Sequence, residues 1–583
     1  MPERCEECEG LLLGNRKEIF GLRYAFESDE NWPGACTRTG TAVGAAEDDV
    51  GRRKDVSDSF IEVMRDFLFI PGGRVMRNAG RKKGMMINCF VLPVEDNIES
   101  IGSLYKEALI VSATGGGVGV NFSNLRPVGD SIIGKGGFSS GAVSFIEALD
   151  AIAETVESGG QRRAAFIGIL RINHPEIFKF IHAKVDEKRL GHFNISVGLT
   201  SEFIKAVKKK KPWDLVFANK VYKTVQARDL WDLIIENAHR CGDPGMVNLD
   251  NLVALNPLYY CEVISATNPC GEIPLPGYGS CDLGSINLSE MYDSVTNGVN
   301  WRKLEDVIKI AIRFLDDVLD VTYYPIKQIE LTTTSSRRIG LGVMGLHYLL
   351  LKMGIKDYGS DESLKFMDEL FFKMRDMAYL ASIDLAEEKG PFQKFDLTKY
   401  LEGPFAKKLP RRVLSKLKKH GIRNGAILSM PPTGTTSIVA GVSSGLEPIF
   451  SPVFNRKFNV RSEQGAKEMK EVMEVDPLFL EFVKNGRDTS HFVGAYDIHP
   501  SQHMEVQTTC QQYVDNSISK TINMEKSFPV EELSDLLLEH IPEIKGTTLY
   551  REGCKGLEIL TKVDHTKMSR EDILKLGNGE VEK

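Results

Sequence analysis

At 583 residues, 42% of them hydrophobic, the chain has enough apolar material for a large core and lies far from the disordered range. A net charge of −7 argues against a surface that coats nucleic acid, and no apolar run reaches the roughly 18 residues of a membrane span. Ten cysteines are too sparse for a disulfide scaffold, which leaves redox chemistry, metal binding or plain packing for them.

In chain order, Met1-Pro2-Glu3-Arg4-Cys5-Glu6-Glu7-Cys8 lacks the basic flank and apolar centre of a secretory signal, so a cytoplasmic protein is expected. Cys5 and Cys8 read as a candidate thiol shuttle or half a zinc site. The stretch to residue 73 reads as mainly helical. Met86 to Leu92 is a short apolar run carrying Cys89, followed by the glycine cluster Thr114 to Val120, which lets backbone approach a ligand closely. Ser158-Gly159-Gly160-Gln161-Arg162-Arg163 reads either as an exposed basic turn or as a mobile loop near phosphates or bases. Phe193 to Val197 is a second apolar run, and Lys208 to Lys211 ends a solvated helix before Pro212.

Beyond it, Leu304, Val307, Ile308, Ala311, Ile312, Leu315 and Val318 recur at helical steps and predict a helix with one apolar stripe. A second helix is predicted from Asp361 to Lys389, stopped by Gly390-Pro391. Ala426 to Met430 reads as a strand, and Pro431 to Ile438 opens a further helix. Its hydroxyls and free amides suit a phosphate, although an ordinary Ser/Thr cap fits the same residues. Strands alternating with helices argue for an α/β architecture, and no repeat or linker divides the chain.

The stretch Thr267-Asn268-Pro269-Cys270-Gly271-Glu272-Ile273-Pro274-Leu275 carries the most chemistry. It sets an amide, a thiol and a carboxylate at alternate positions, which in extended backbone would face one way. Pro269 and Gly271 make it a loop tip, and a turn holding an inert Cys fits as well. Cys281 follows eleven residues after Cys270, and with Cys89 it makes three thiols in strand or loop settings.

Taken together, these motifs resemble the catalytic chain of ribonucleotide reductases, most closely the adenosylcobalamin-dependent class II. The resemblance runs from about Arg74 to Gly556. It is carried by Asn88 to Pro93, the triple glycine, Asn121 to Pro127, Gly137 to Gly141, Asn268 to Leu275, Cys281 to Leu288 and Pro432 to Pro448. It implies a ten-stranded α/β barrel of two five-stranded halves over 74–556, with a central finger loop. A mainly helical region, 1–73, without an ATP cone would precede it, and a polar tail, 557–583, without a cysteine pair would follow.

By the same resemblance, Cys270 is the radical thiol that takes hydrogen from the ribose of a ribonucleotide, expected to be a diphosphate. Asn268 and Glu272 hold its hydroxyls, with Glu272 as general base, and Cys89 and Cys281 supply the reducing equivalents and end as a disulfide. Pro432, Thr433, Gly434, Thr435 and Thr436 would hold the diphosphate, with Asn88 and Gly117 as further substrate contacts. A deoxynucleoside triphosphate effector would meet Asp96 and Arg126 at a homodimer interface, and a loop bearing Arg162 and Arg163 would relay its identity. There Arg163-Ala164-Ala165-Phe166 replaces the family's Arg-Gly-Ala-Asn, so altered effector rules are expected. A thioredoxin- or glutaredoxin-type reductant is implied, and no metal ligand, nucleic acid or membrane partner is assigned.

The radical source is expected to be adenosylcobalamin, because Tyr550 is followed by Arg551 where iron-dependent large subunits carry two adjacent tyrosines. An iron-dependent large subunit and a catalytically silent nucleotide-binding paralogue are the alternatives.

Overall fold

Apolar runs of a few residues become strands where both faces are covered, and this chain holds two sets of them. The computed structural model describes residues 12, 14–27, 30–132, 136–155, 157–158, 162–186, 189–461, 467–554 and 558–577. In the first set, β1 (Cys89–Val91), β2 (Gly117–Asn121), β3 (Phe166–Arg171), β4 (Phe193–Leu199) and β5 (Gly245–Asn248) lie side by side, all parallel. The second set is β6 (Ser280–Asn287), β7 (Ile339–Met344), the segment 426–430, β8 (Thr521–Met524) and β9 (Gly546–Arg551). Here β6 pairs with β7, Leu341 bridges Leu428, Met430 bridges Ile518 just ahead of β8, and β8 pairs with β9, again all parallel.

The two sets meet antiparallel at two seams. At one, Cys281 of β6 stands opposite Cys89 of β1; at the other, Met246 of β5 stands opposite Thr547 of β9. The pairings therefore run full circle through two five-membered halves, as expected of a barrel. Phe69–Pro71 pairs antiparallel with the later part of β6.

Helices pack around the strands. Helix Trp301–Val321 is capped by the Asn300 side chain and buries the expected stripe from Leu304 to Val318. Helix Asp361–Lys389 has the predicted bounds, with Ser360 at its N-cap and Gly390 ending it at φ 80°. The N-terminal region is helical over Gly14–Arg23, Trp32–Gly44 and Val50–Arg65. Two antiparallel hairpins, Pro212–Phe217 with Lys220–Gln226 and Val453–Arg461 with Lys467–Val475, were not anticipated. Among the described residues no helix is long and apolar enough to cross a membrane.

Candidate active site

Between β5 and β6 the chain forms a hairpin, Ile264–Thr267 against Pro274–Pro276, that both halves of the barrel grip. From one half, the Asn121 amide donates to the Ser265 carbonyl at 2.9 Å and the Asn194 amide to the Pro269 carbonyl at 2.9 Å. From the other, the Ser517 N–H (2.9 Å) and the Ser429 hydroxyl (3.1 Å) both donate to the Glu272 carbonyl. The glycine cluster makes room for this finger. A Cβ on Gly119 would lie 1.8 Å from the Thr267 carbonyl oxygen, and one on Gly117 would lie 2.9 Å from Pro269. What approaches these glycines closely is the chain itself.

The finger tip is a tight turn, not the extended backbone that would align alternate side chains. The Gly271 N–H donates to the Asn268 carbonyl at 2.9 Å, with Pro269 and Cys270 central and Gly271 at φ 86°. Asn268 closes the turn through its own side chain, whose oxygen accepts from the Ile273 N–H at 2.9 Å. As a result Asn268 and Glu272 are buried, while Cys270 is exposed at the tip. It lines a cleft of about 220 Å³ together with Asn194, Gly245, Lys520, Thr548 and Tyr550.

Behind the tip the other two thiols meet. Cys89 and Cys281 are direct partners across the antiparallel seam, both buried and both reduced. The Asn268 amide lies 3.0 Å from the Cys89 sulfur, and the Glu272 carboxylate lies 4.0 Å from it. Burial pushes the Cys89 thiol well above its ordinary range, and the neighbouring Glu272, Cys281 and Cys270 push it further. Cys281 is raised by burial and then by Asp282, whose carbonyl it touches at 3.1 Å. Burial also raises Glu272, to about 7. The site therefore holds protonated thiols beside a carboxyl that titrates near neutrality.

At Gly434–Ala440 the helix opens without a side-chain cap, so the ordinary Ser/Thr capping arrangement is not the one adopted. The Thr433 hydroxyl instead accepts from the Gly445 N–H at 2.8 Å and pairs with Ser444, while Thr436 donates to the Thr433 carbonyl. Pro432, Gly434 and Thr435 are exposed, and a Cβ on Gly434 would meet open space. Asn88, next to Cys89, has a buried side-chain oxygen with no hydrogen-bond partner among the described residues.

Asp96 and Arg126 form an ion pair at 2.8 Å, and Arg126 also donates to the Ser131 carbonyl. Arg162–Arg163 pairs as backbone with Glu157–Ser158; their side chains and residues 159–161 lie outside the described residues. Cys5 and Cys8 lie outside them too. Sequence reasoning missed Asn194, Ser429 and Ser517 as holders of the finger. Asn194 left a signal, an amide in a mostly apolar strand, and Ser429 a similar one, a hydroxyl within the apolar run Ala426 to Met430; Ser517 acts through its backbone N–H and left none.

The chain matches the family profile described as ribonucleotide reductase, barrel domain, over residues 87–550. It is 35% identical to a vitamin B12-dependent ribonucleoside-diphosphate reductase of Mycobacterium tuberculosis, over 94% of this chain and 82% of that protein. A protein of the same name from Thermoplasma acidophilum is 38% identical over 86% of this chain and 66% of its own length. A ribonucleoside-diphosphate reductase subunit alpha of Chlamydia pneumoniae is 26% identical over 79% of this chain and 51% of its own length.

Proposed function

The chain belongs to the ribonucleotide reductase family, and from that premise we propose that it reduces ribonucleoside diphosphates to 2′-deoxyribonucleotides through a Cys270 thiyl radical, with adenosylcobalamin as radical source. One observation carries the reading: Cys89 faces Cys281 across a buried seam, with Asn268 and Glu272 of the Cys270 finger against it.

The cleft beside Cys270, about 220 Å³, would take only part of a cofactor as broad as adenosylcobalamin. Gly242, Gly245, Gly271 and Gly546 line it, so much of its wall is backbone, and Asn194, Thr548 and Tyr550 offer polar groups to hold a ligand. Adenosylcobalamin supplies, when bound, an organic radical by homolysis of its carbon–cobalt bond. Cys270, exposed on that wall, gives up its thiol hydrogen and then takes hydrogen from C3′ of the ribose. Glu272 accepts the 3′-hydroxyl proton. The protonated Cys89 and Cys281 pair provides the proton with which the 2′-hydroxyl leaves as water. The same pair provides the second hydrogen, to C2′, and the two electrons that reduce the sugar; it ends as a disulfide, and Glu272 returns its proton to the 3′-oxygen. Cys270 then returns hydrogen to C3′. Burial of the pair keeps water from the two reducing thiols.

Arg551 favours this reading over an iron-dependent large subunit. Its guanidinium donates to the His239 carbonyl at 2.8 Å, so the position beside Tyr550 holds an anchored cation instead of a second tyrosine for a radical relay. The effector reading places a deoxynucleoside triphosphate at Asp96 and Arg126 at a homodimer interface. A dithiol protein of the thioredoxin or glutaredoxin type would re-reduce the disulfide in the cytoplasm.

The test is turnover of a ribonucleoside diphosphate with adenosylcobalamin and a dithiol. Formation of 2′-deoxy product by the wild type and none by Cys270→Ala supports the reading. Product from both proteins, or from neither, contradicts it.

A further inference from the structure

The helix Gly14–Arg23 stands ahead of the barrel in sequence and packs along the helix Gly434–Ala440 that opens at the phosphate loop. At one end, the Arg16 guanidinium donates to the Val439 carbonyl at 2.9 Å, where a cation suits the C-terminus of a helix. At the other, the Tyr24 hydroxyl is hydrogen-bonded to the Thr435 hydroxyl. Thr433, Thr436 and Ser437 use their hydroxyls within residues 433–445, whereas Thr435 is tied to a residue far outside that loop.

Tyr24 is 4% exposed, and its ring is seated against Gly73, where a Cβ would lie 2.8 Å from Cε1. Gly72 in turn adjoins the Asn88 amide, so Tyr24, Asn88 and Thr435 belong to one corner of the molecule, with Gly434 open beside them. With Tyr24 as the donor in that bond, Thr435 keeps its own hydrogen for a phosphate oxygen, which only accepts.

We propose that Tyr24 is a further substrate-positioning residue: through its bond to Thr435 it sets that hydroxyl toward the diphosphate, making the N-terminal helix part of the substrate site. The inference rests on the reading of residues 432–436 as the diphosphate site. A bond to a charged acceptor lost through this relay corresponds to about a tenfold loss of affinity.

The experiment is equilibrium binding of cytidine diphosphate, and separately of inorganic pyrophosphate, to the full chain without cobalamin, paired with steady-state kinetics. It uses the wild type, Tyr24→Phe, Thr435→Ala and the double variant. Tyr24→Phe should weaken both ligands about tenfold and raise KM by a similar factor, with kcat within about twofold of wild type. The double variant should bind no more weakly than Thr435→Ala, because the two residues act in series. Wild-type binding with unchanged binding by Tyr24→Phe overturns the role of Tyr24 alone, and so do additive losses in the double variant or a fall confined to kcat. Absence of binding by the wild type overturns the diphosphate reading itself.

Discussion

Burial sets the chemistry of Glu272. With only 2% of its surface exposed, its carboxyl titrates near 7. In its proposed role as base Glu272 must be ionised to accept the 3′-hydroxyl proton, and the ionised fraction grows as pH rises through that value. We therefore expect kcat/KM to climb between about pH 6 and 8 and then level off. Glu272→Gln should remove the limb and lower the rate by about 10²- to 10⁴-fold. A pH–rate profile of both proteins checks this, and a limb retained in the variant would contradict it. The residues of this site were legible in the sequence as chemistry: an amide, a thiol and a carboxylate at alternate positions. Their directions were not. Pro269 and Gly271 fold the tip into a turn, which sends Cys270 to the exposed tip and leaves Asn268 and Glu272 buried with the thiol pair. Local spacing predicts side-chain direction only where the backbone is regular.

The finger is held by elements that come close enough only because they lack side chains. Gly119→Ala would bring a methyl group to 1.8 Å from the Thr267 carbonyl, so strand or finger must move. Overpacking of this kind costs about 1–3 kcal/mol, and a displacement near 1 Å at the chemistry costs on the order of 10²-fold in rate. The expected outcome is a variant that folds, with a modestly lowered unfolding midpoint and turnover reduced at least a hundredfold. Turnover near wild type would show that the finger needs no such fit. The cluster was legible as a place of close approach, but which segment approached was not. The two long helices were legible almost to the residue, since amphipathic stripes and caps are local signals. The strand pairs Pro212–Phe217 with Lys220–Gln226 and Val453–Arg461 with Lys467–Val475 carry the alternation of half-buried strands, which is passed over when only continuous apolar runs are read as strands.

Closure of the barrel joins strands far apart in sequence, and no local pattern announces such pairings. Helix Trp301–Val321 is tied to this frame by charge as well as by its apolar stripe. Buried Asp316 meets Arg337 at 2.8 Å and Arg423 at 3.0 Å, and Arg337 also meets Asp320. Burial alone would raise the Asp316 carboxyl, but the two arginines override it and hold it below the usual range. Arg337→Ala should cost on the order of 3–5 kcal/mol, read from the denaturant midpoint, because it leaves a buried carboxylate short of its partner. A loss below about 1 kcal/mol would assign these charges no part in the frame. The seam between β6 and β1 is where the frame meets the proposed chemistry, since its pairing puts Cys89 opposite Cys281. The most direct measurement is a single turnover with adenosylcobalamin and substrate but no external dithiol, followed by peptide mapping of the thiols. About one equivalent of deoxy product together with a Cys89–Cys281 disulfide is the predicted result. Product formed with both cysteines still reduced, or oxidation mapped to other thiols, would contradict the account.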